Sequence, residues 1–426
     1  MPNSRLRHLL VQTAPAALGI AVLMSIVAPK GTAWWLPLLG GVALASVDFR
    51  NFPVRLTDSA AGLIGGLIAT YVFVSLAWTA DWRETLSTAL LFSLYLAATW
   101  YAVKGLLADT EAPVRKLGIA FLTGFIAGAV FISVELLNGN ELQKLIFTHM
   151  PFLRPASPEH VGMVNGAVGF WAADELNRGV AVLNFLVWPA LGLVVRENGE
   201  IATWLAGTAI LLLIALATFS SQHDASKLAL VCAAATFALS LVSARWAGKF
   251  VAAGWVAACL AVVPLAHAAY NSGTQHAQWL PDNARARIII WAATAEKVRQ
   301  HPVLGIGAGS TPAVHKATKS AAEQRPGDLL PWSTGVHSHN VFLQFWYELG
   351  AAGVCLLLSL GLALLALIGR MPSGIQPFAL AAFVSVSAVN AFSWSLWYPW
   401  LLASIFFTVF AVVLANTFQQ RLRAAA

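Results

Sequence analysis

Asn340–Ile368 reads NVFLQFWYELGAAGVCLLLSLGLALLALI, with Glu348 as its one charged residue. As a helix rising about 1.5 Å per residue, a stretch of this length crosses the roughly 30 Å hydrocarbon core of a bilayer. Comparable apolar runs occur at Ile201–Phe219, Phe250–Leu265 and Leu401–Ala415. The chain of 426 residues is 58% hydrophobic and 11% charged, whereas soluble domains carry about 25% charge. The composition excludes a soluble globular enzyme and predicts an all-α polytopic membrane protein.

Length and periodicity place twelve spans near 9–28, 33–48, 60–79, 85–106, 116–137, 179–195, 201–220, 228–244, 249–269, 340–368, 375–394 and 400–418. Arg5 and Arg7 precede the first run as in a signal peptide, but no small-x-small cleavage site follows and a second run begins at once, so it is read as a span. With the N-terminus inside, the short loops on that side hold thirteen Lys and Arg, against Lys30, Arg83 and Lys227 on the other. The positive-inside bias then puts both termini in the cytoplasm. Two long loops, about 138–178 and 270–339, fall outside. They divide the chain into a first helical block (1–269), the large outer loop (270–339) and a last block of three spans with a short tail (340–426).

The net charge of +7 comes from basic residues lying singly between apolar runs, a topology signal rather than a nucleic-acid surface. Cys232, Cys259 and Cys355 lie in apolar segments with neither pairing nor ligand spacing. Pro189 and Pro264 are expected to kink their spans. Trp394, Trp397, Tyr398 and Trp400 flank the last outer turn, the place of an interfacial aromatic belt, with stacking on sugar as the second reading.

In the large outer loop, Pro281–Pro302 reads PDNARARIIIWAATAEKVRQHP, a helix that Asp282 or Asn283 would cap. At about 100° per residue Ile290, Trp291, Ala295 and Val298 share an apolar face. Arg287 falls in the middle of that face, while Arg285 lies opposite as a solvated charge. Two readings of Arg287 stand: its stem snorkels at the membrane surface, or its planar fork faces an anion such as phosphate. The alternating Gly305, Gly307 and Gly309 let backbone approach closely but lack the Gly-Lys-Ser/Thr of a Walker loop, so alone they signal a flexible turn. A short helix and loop carrying His315, Lys316, Lys319 and Arg325 run on to Trp332.

Asn340 can cap the tenth span, which leaves His339 just outside the first turn and His337 further back. Asn340, Gln344 and Glu348 recur every four residues on one face, and Glu348 lies about 12 Å along the helix. A carboxylate there costs at least ~2.5 kcal/mol if it faces lipid. The stripe therefore faces a polar cavity or the bundle interior, as a structural network or a functional one. For the histidines, metal binding lacks a third ligand at recognisable spacing. A structural role, or general base catalysis by a group titrating near neutral pH, stays open.

His339-Asn340 followed by Glu348, Gly350 and Gly353, together with Arg287-x-x-x-Trp291 and Pro302-x-x-Gly305-x-Gly307, resembles the O-antigen ligase/polymerase superfamily over roughly residues 180–400. The resemblance implies a GT-C-like membrane glycosyltransferase whose donor is an undecaprenyl-diphosphate-linked glycan, working without metal, nucleotide sugar or other cofactor. Its ligase branch transfers O-antigen to lipid A-core at the periplasmic face of the bacterial inner membrane, and the twelve spans with one dominant HSHN-bearing loop favour that branch. Carried over by position, His339 is the family's essential histidine and expected base. Arg287 is its outer-loop arginine for the donor diphosphate. Arg178, at the mouth of the sixth span, is a second, more loosely aligned one. His337, Asn340, Glu348 and Trp291 are expected to support or orient, with Glu348 too deep to touch His339. The expected partners are the donor, lipid A-core and membrane lipids, with no nucleic acid. An O-antigen polymerase or protein O-oligosaccharyltransferase shares this chemistry, and a lipid-linked glycan transporter would share the arginines.

Overall fold

Each of the twelve expected spans coincides with a helix or with half of one. The computed structural model describes residues 4–46, 58–108, 111–153, 161–164, 167–171, 173–196, 200–323 and 335–425. Its helices are α1 (Ser4–Val27), α2 (Thr32–Ser46), α3 (Ala60–Val74), α4 (Trp82–Ala108), α5 (Glu111–Leu137), α6 (Glu141–His149), α7 (Asn177–Val194), α8 (Ile201–Ser220), α9 (Asp224–Asn271), α10 (Asp282–Val298), α11 (Thr311–Glu323), α12 (Val341–Ile368), α13 (Gln376–Phe392) and α14 (Pro399–Ala425). Nine of the described helices are long and apolar enough to cross a membrane, with α9 counted once. A straight helix of its 48 residues would be about 72 Å long, over twice a bilayer core. Ser243 (φ −157°, ψ 99°) breaks it into the eighth and ninth expected spans. At 15 and 17 residues, α2 and α13 are shorter.

α7 is buried along its whole length from Gly179 to Leu193, as an all-round apolar helix must be, and α14, α13, α5 and α8 pack around it. α1 crosses α5 closely because Gly19 and Gly124 face each other, where a Cβ on Gly124 would run into the Gly19 carbonyl. The first long loop adds a two-stranded antiparallel hairpin, β1 (Val161–Val164) with β2 (Ala167–Trp171), to an otherwise helical chain. Buried Glu135 accepts the amides of Leu142 (3.0 Å) and Gln143 (2.9 Å) at the start of α6, so this in-span carboxylate caps a helix.

α11 is the short helix expected after the glycines; Arg325 and Trp332 lie outside the described residues. α10 starts at Asp282 with Pro281 in the capping position and no side-chain cap, contrary to the expected Asp282 or Asn283 cap. Nor do the prolines mark the interruptions of helical backbone. Those fall at Ser243 and at Gly350, where φ is 62° and ψ −165°.

At Gly350 the chain supplies its own repair. Tyr347 and Glu348 carbonyls lose their helical partners and accept Ile306 N–H (3.2 Å) and Gly307 N–H (2.9 Å). Past the break, Ala351 and Ala352 donate to the carbonyls of Pro302 (2.9 Å) and Val303 (3.2 Å). Residues 302–307, a turn followed by irregular chain, thus lie along α12 as a strap. Gly305 (φ 71°), Gly307 (φ 97°) and Gly309 (φ 71°) make this approach possible: a Cβ on Gly305 would run into the Glu348 backbone, and one on Gly307 would sit 2.6 Å from the Thr79 side chain. The flexible turn read from the sequence is a fixed clamp.

Gly350→Ala forces a Cβ into the Val303 carbonyl at a positive φ. It should destabilise the protein by at least ~2 kcal/mol, seen as a lower unfolding temperature in detergent. Gly41→Ala, in a helix with nothing within 4 Å of the new Cβ, should leave it unchanged or raise it.

Candidate functional site

The starts of α4, α7, α9, α12 and α14 and the end of α13 converge on one face of the bundle, where His337, His339, Asn340 and Arg287 of the expected site residues gather. Asn340 caps α12, accepting Leu343 N–H at 3.0 Å. Ser338 Oγ donates to the Asn340 carbonyl at 2.8 Å. Between them His339 takes a left-handed backbone, φ 53°, uncommon for any residue but glycine and characteristic of constrained sites. Its ring donates to the backbone carbonyl of Ser393, just beyond α13. Because a carbonyl can only accept, that ring nitrogen carries the proton and the other keeps its lone pair in the neutral ring.

His337 is packed beside it, ring centroids 4.0 Å apart, with its other side against Tyr398 at 5.5 Å. It is buried, and no described residue hydrogen-bonds either of its nitrogens. A third histidine, which the sequence reading did not single out, completes the group. His223, before the first turn of α9, is buried, bonds Ser393 Oγ through Nε2 (3.0 Å) and Ser226 Oγ through Nδ1 (2.7 Å), and stacks on Trp394 at 4.5 Å. Ser393 therefore links two imidazoles, one through its hydroxyl and one through its carbonyl.

Arg287 reaches this group from α10. It is half-buried, and no described residue forms an ion pair or hydrogen bond with its guanidinium. Its charge acts on Asp224 and on all three histidines. Burial lowers His339 from the ordinary imidazole value and Arg287 lowers it further, against the Ser393 carbonyl, which raises it. His337 is pushed down to about 3 by burial, by His339 and by Arg287. His223 is likewise down to about 3, from burial first and Arg287 next. At neutral pH the three rings are uncharged beside the Arg287 guanidinium.

Arg178, at the start of α7, pairs with Glu175 at 2.7 Å. Its charge opposes the rise that burial imposes on the Tyr398 phenol, the ring that packs on His337. Arg285 pairs with Asp282, as a solvated charge would. Trp291, one turn after Arg287 on α10, does not join the cluster chemically: it packs on Phe392 (5.9 Å) with Ala295, Val298, Leu343 and Tyr347 nearby.

Glu348 is apart from the histidines, as expected from its depth. Its carboxylate accepts Gly309 N–H (2.9 Å), Thr311 Oγ1–H (2.6 Å), Gln344 Nε2–H (3.3 Å) and the Trp397 indole N–H. Gln344 also bonds Ser395 Oγ (2.8 Å) and accepts Leu396 N–H (3.1 Å). The polar stripe on α12 thus ties the glycine strap to the turn between α13 and α14. The aromatic belt expected there is a correction. Trp397 and Trp400 are buried, Trp394 lies between His223 and Trp400, and Tyr398 covers His337. These rings wall the site: Trp397 finds in Glu348 a partner for its indole N–H that lipid lacks, and Trp394, Tyr398 and Trp400 pack on the imidazoles or on one another.

The profile of the O-antigen ligase family matches residues 209–358. The matched stretch resembles that family. It contains His223, Arg287, His337, His339 and Glu348, while Arg178 precedes it. Proteins carrying the provisional name polysaccharide ligase are similar over about half of each chain. One from Rickettsia prowazekii is 24% identical over 54% of this chain and 56% of its own length. One from Rickettsia conorii is 24% identical over 55% and 56%, and one from Rickettsia typhi 23% over 54% and 56%. The chain spans little more than half the length of these relatives.

The buried neutral imidazoles make stability pH-dependent. His223 and His337 bind a proton near 6.5 when unfolded but only near about 3 when folded. Their contribution is therefore complete above about 6.5 and lost as pH falls from there toward about 3. Thermal unfolding in detergent should show a falling midpoint across that window, with a shallower slope in His223→Gln and His337→Gln.

Proposed function

We propose that the chain is an inverting glycosyltransferase, an O-antigen ligase that moves O-antigen polysaccharide from undecaprenyl diphosphate to lipid A-core at the periplasmic face of the inner membrane. The observation that carries this reading is a neutral His339, one nitrogen fixed as donor to the Ser393 carbonyl, beside the unpaired Arg287. The free lone pair takes the proton of the acceptor hydroxyl as its oxygen attacks the anomeric carbon. The bond from that carbon to the diphosphate oxygen breaks, and its electron pair leaves with the diphosphate. Arg287 stabilises the charge that develops there. Arg178, freed from Glu175 or sharing it, supplies a second cation. Attack opposite the leaving group inverts the anomeric carbon. His337 and Asn340 hold His339 in place, one by packing and the other by capping the helix behind it.

In a strain deleted for this gene, lipopolysaccharide gels should show bare core, with polymer restored by wild type and not by His339→Ala. Arg287→Ala should lose about 10²–10³-fold in rate. Core bearing a single repeat would identify a polymerase instead. An unchanged ladder would remove both and leave glycoproteins or transport.

Because burial and Arg287 both lower His339, the acid limb of kcat/KM should lie below the ordinary imidazole value. Arg287→Gln should move that limb upward, as a pH series of initial rates would show.

A further inference from the structure

On the α4 side of the histidines lies a cavity of about 110 Å³ that the chemistry above does not use, lined by Glu84, Ser87, Thr88, Gly309, Trp397 and Tyr398 among others. Its frame is fixed. Thr79 Oγ1 bonds Ser310 Oγ at 2.6 Å, Thr85 Oγ1 donates to the Ala308 carbonyl at 2.6 Å, and Gly309 N–H is held by Glu348. These contacts tie the first turn of α4 to the glycine strap. Glu348 also borders the cavity, but its carboxylate oxygens already have donors. The groups without partners are on α4: no described residue hydrogen-bonds the carboxylate of Glu84 or the hydroxyls of Ser87 and Thr88. Opposite them are the rings of Trp397 and Tyr398.

We infer that this cavity binds the terminal sugar of the acceptor, a neutral pyranose presented by its hydroxyls. A carboxylate accepts from vicinal hydroxyls, helix hydroxyls bond either way, and the C–H face of a sugar packs on aromatic rings. The same carboxylate repels phosphate, which keeps the donor diphosphate out of this cavity and on the arginines. Tyr398 is both a wall of the cavity and the ring against His337. The cavity thus meets the histidine pair from α4, whereas Arg287 meets it from α10. The assignment to the acceptor rests on the transfer reaction proposed above.

Two measurements on the full chain in lipid nanodiscs separate the two ideas. The first is binding of dephosphorylated lipopolysaccharide core oligosaccharide by saturation-transfer NMR. The second is steady-state transfer with lipid-linked donor and lipid A-core. In Glu84→Gln and Thr88→Val, checked for unchanged unfolding temperature, oligosaccharide binding should weaken at least tenfold. KM for acceptor should rise by a similar factor, with kcat and donor KM within twofold of wild type. Ser87→Ala, at an exposed position, provides a variant that folds if either of the others does not. Transfer by wild type with unchanged acceptor KM in the variants overturns the subsite and leaves the reaction standing. A rise in donor KM instead overturns the assignment to the acceptor. Core binding that is sensitive to Glu84 in a wild-type protein that transfers nothing keeps the subsite and overturns the reaction. Absence of binding in wild type overturns the subsite.

Discussion

A membrane helix broken in mid-course leaves carbonyls and amides without partners where no water is at hand to take them. In α12 this happens at Gly350, and the strap 302–307 meets the need from both sides of the break. Everything near the site follows from that repair. The strap holds Gly309 and Thr311 against Glu348, Glu348 holds Trp397, and Gln344 holds the backbone at Leu396. The turn between α13 and α14 is thereby fixed, and it brings Ser393 to the histidines. Breaking any one link would release the next, because each buried polar group has its partner inside the network rather than in solvent.

The second constraint is electrostatic. A half-buried guanidinium normally has a carboxylate in contact. Arg287 has Asp224 only at longer range, and Asp224 is already bonded to Lys227 (3.2 Å) and Asn283 (3.4 Å). In the proposed reading the lipid diphosphate completes the pair. Burial first, and the Arg287 charge with it, hold the neighbouring imidazoles in the unprotonated form.

Much of this was legible from residues in order. Apolar run lengths gave the spans, the Asn340 cap gave the start of α12, and the misplaced Arg287 marked α10 as more than a packing helix. What was not legible depends on contacts distant in sequence. A glycine within an apolar run does not announce a break, since the same residue passes unbroken through α12 at Gly353 and Gly361. His223 sits in an ordinary helix start, and only the fold carries it to Ser393. Tryptophans beside a membrane turn look alike whether they face lipid or a buried carboxylate, and Glu348 decides the matter for Trp397 from another helix.

Ser393 holds His339 with its carbonyl, a group every residue possesses. That contact therefore places no demand on which amino acid stands at 393. The hydroxyl is another matter, since it holds the buried His223 at 3.0 Å; exchanging Ser393 would cost His223 this partner and leave His339 aimed as before.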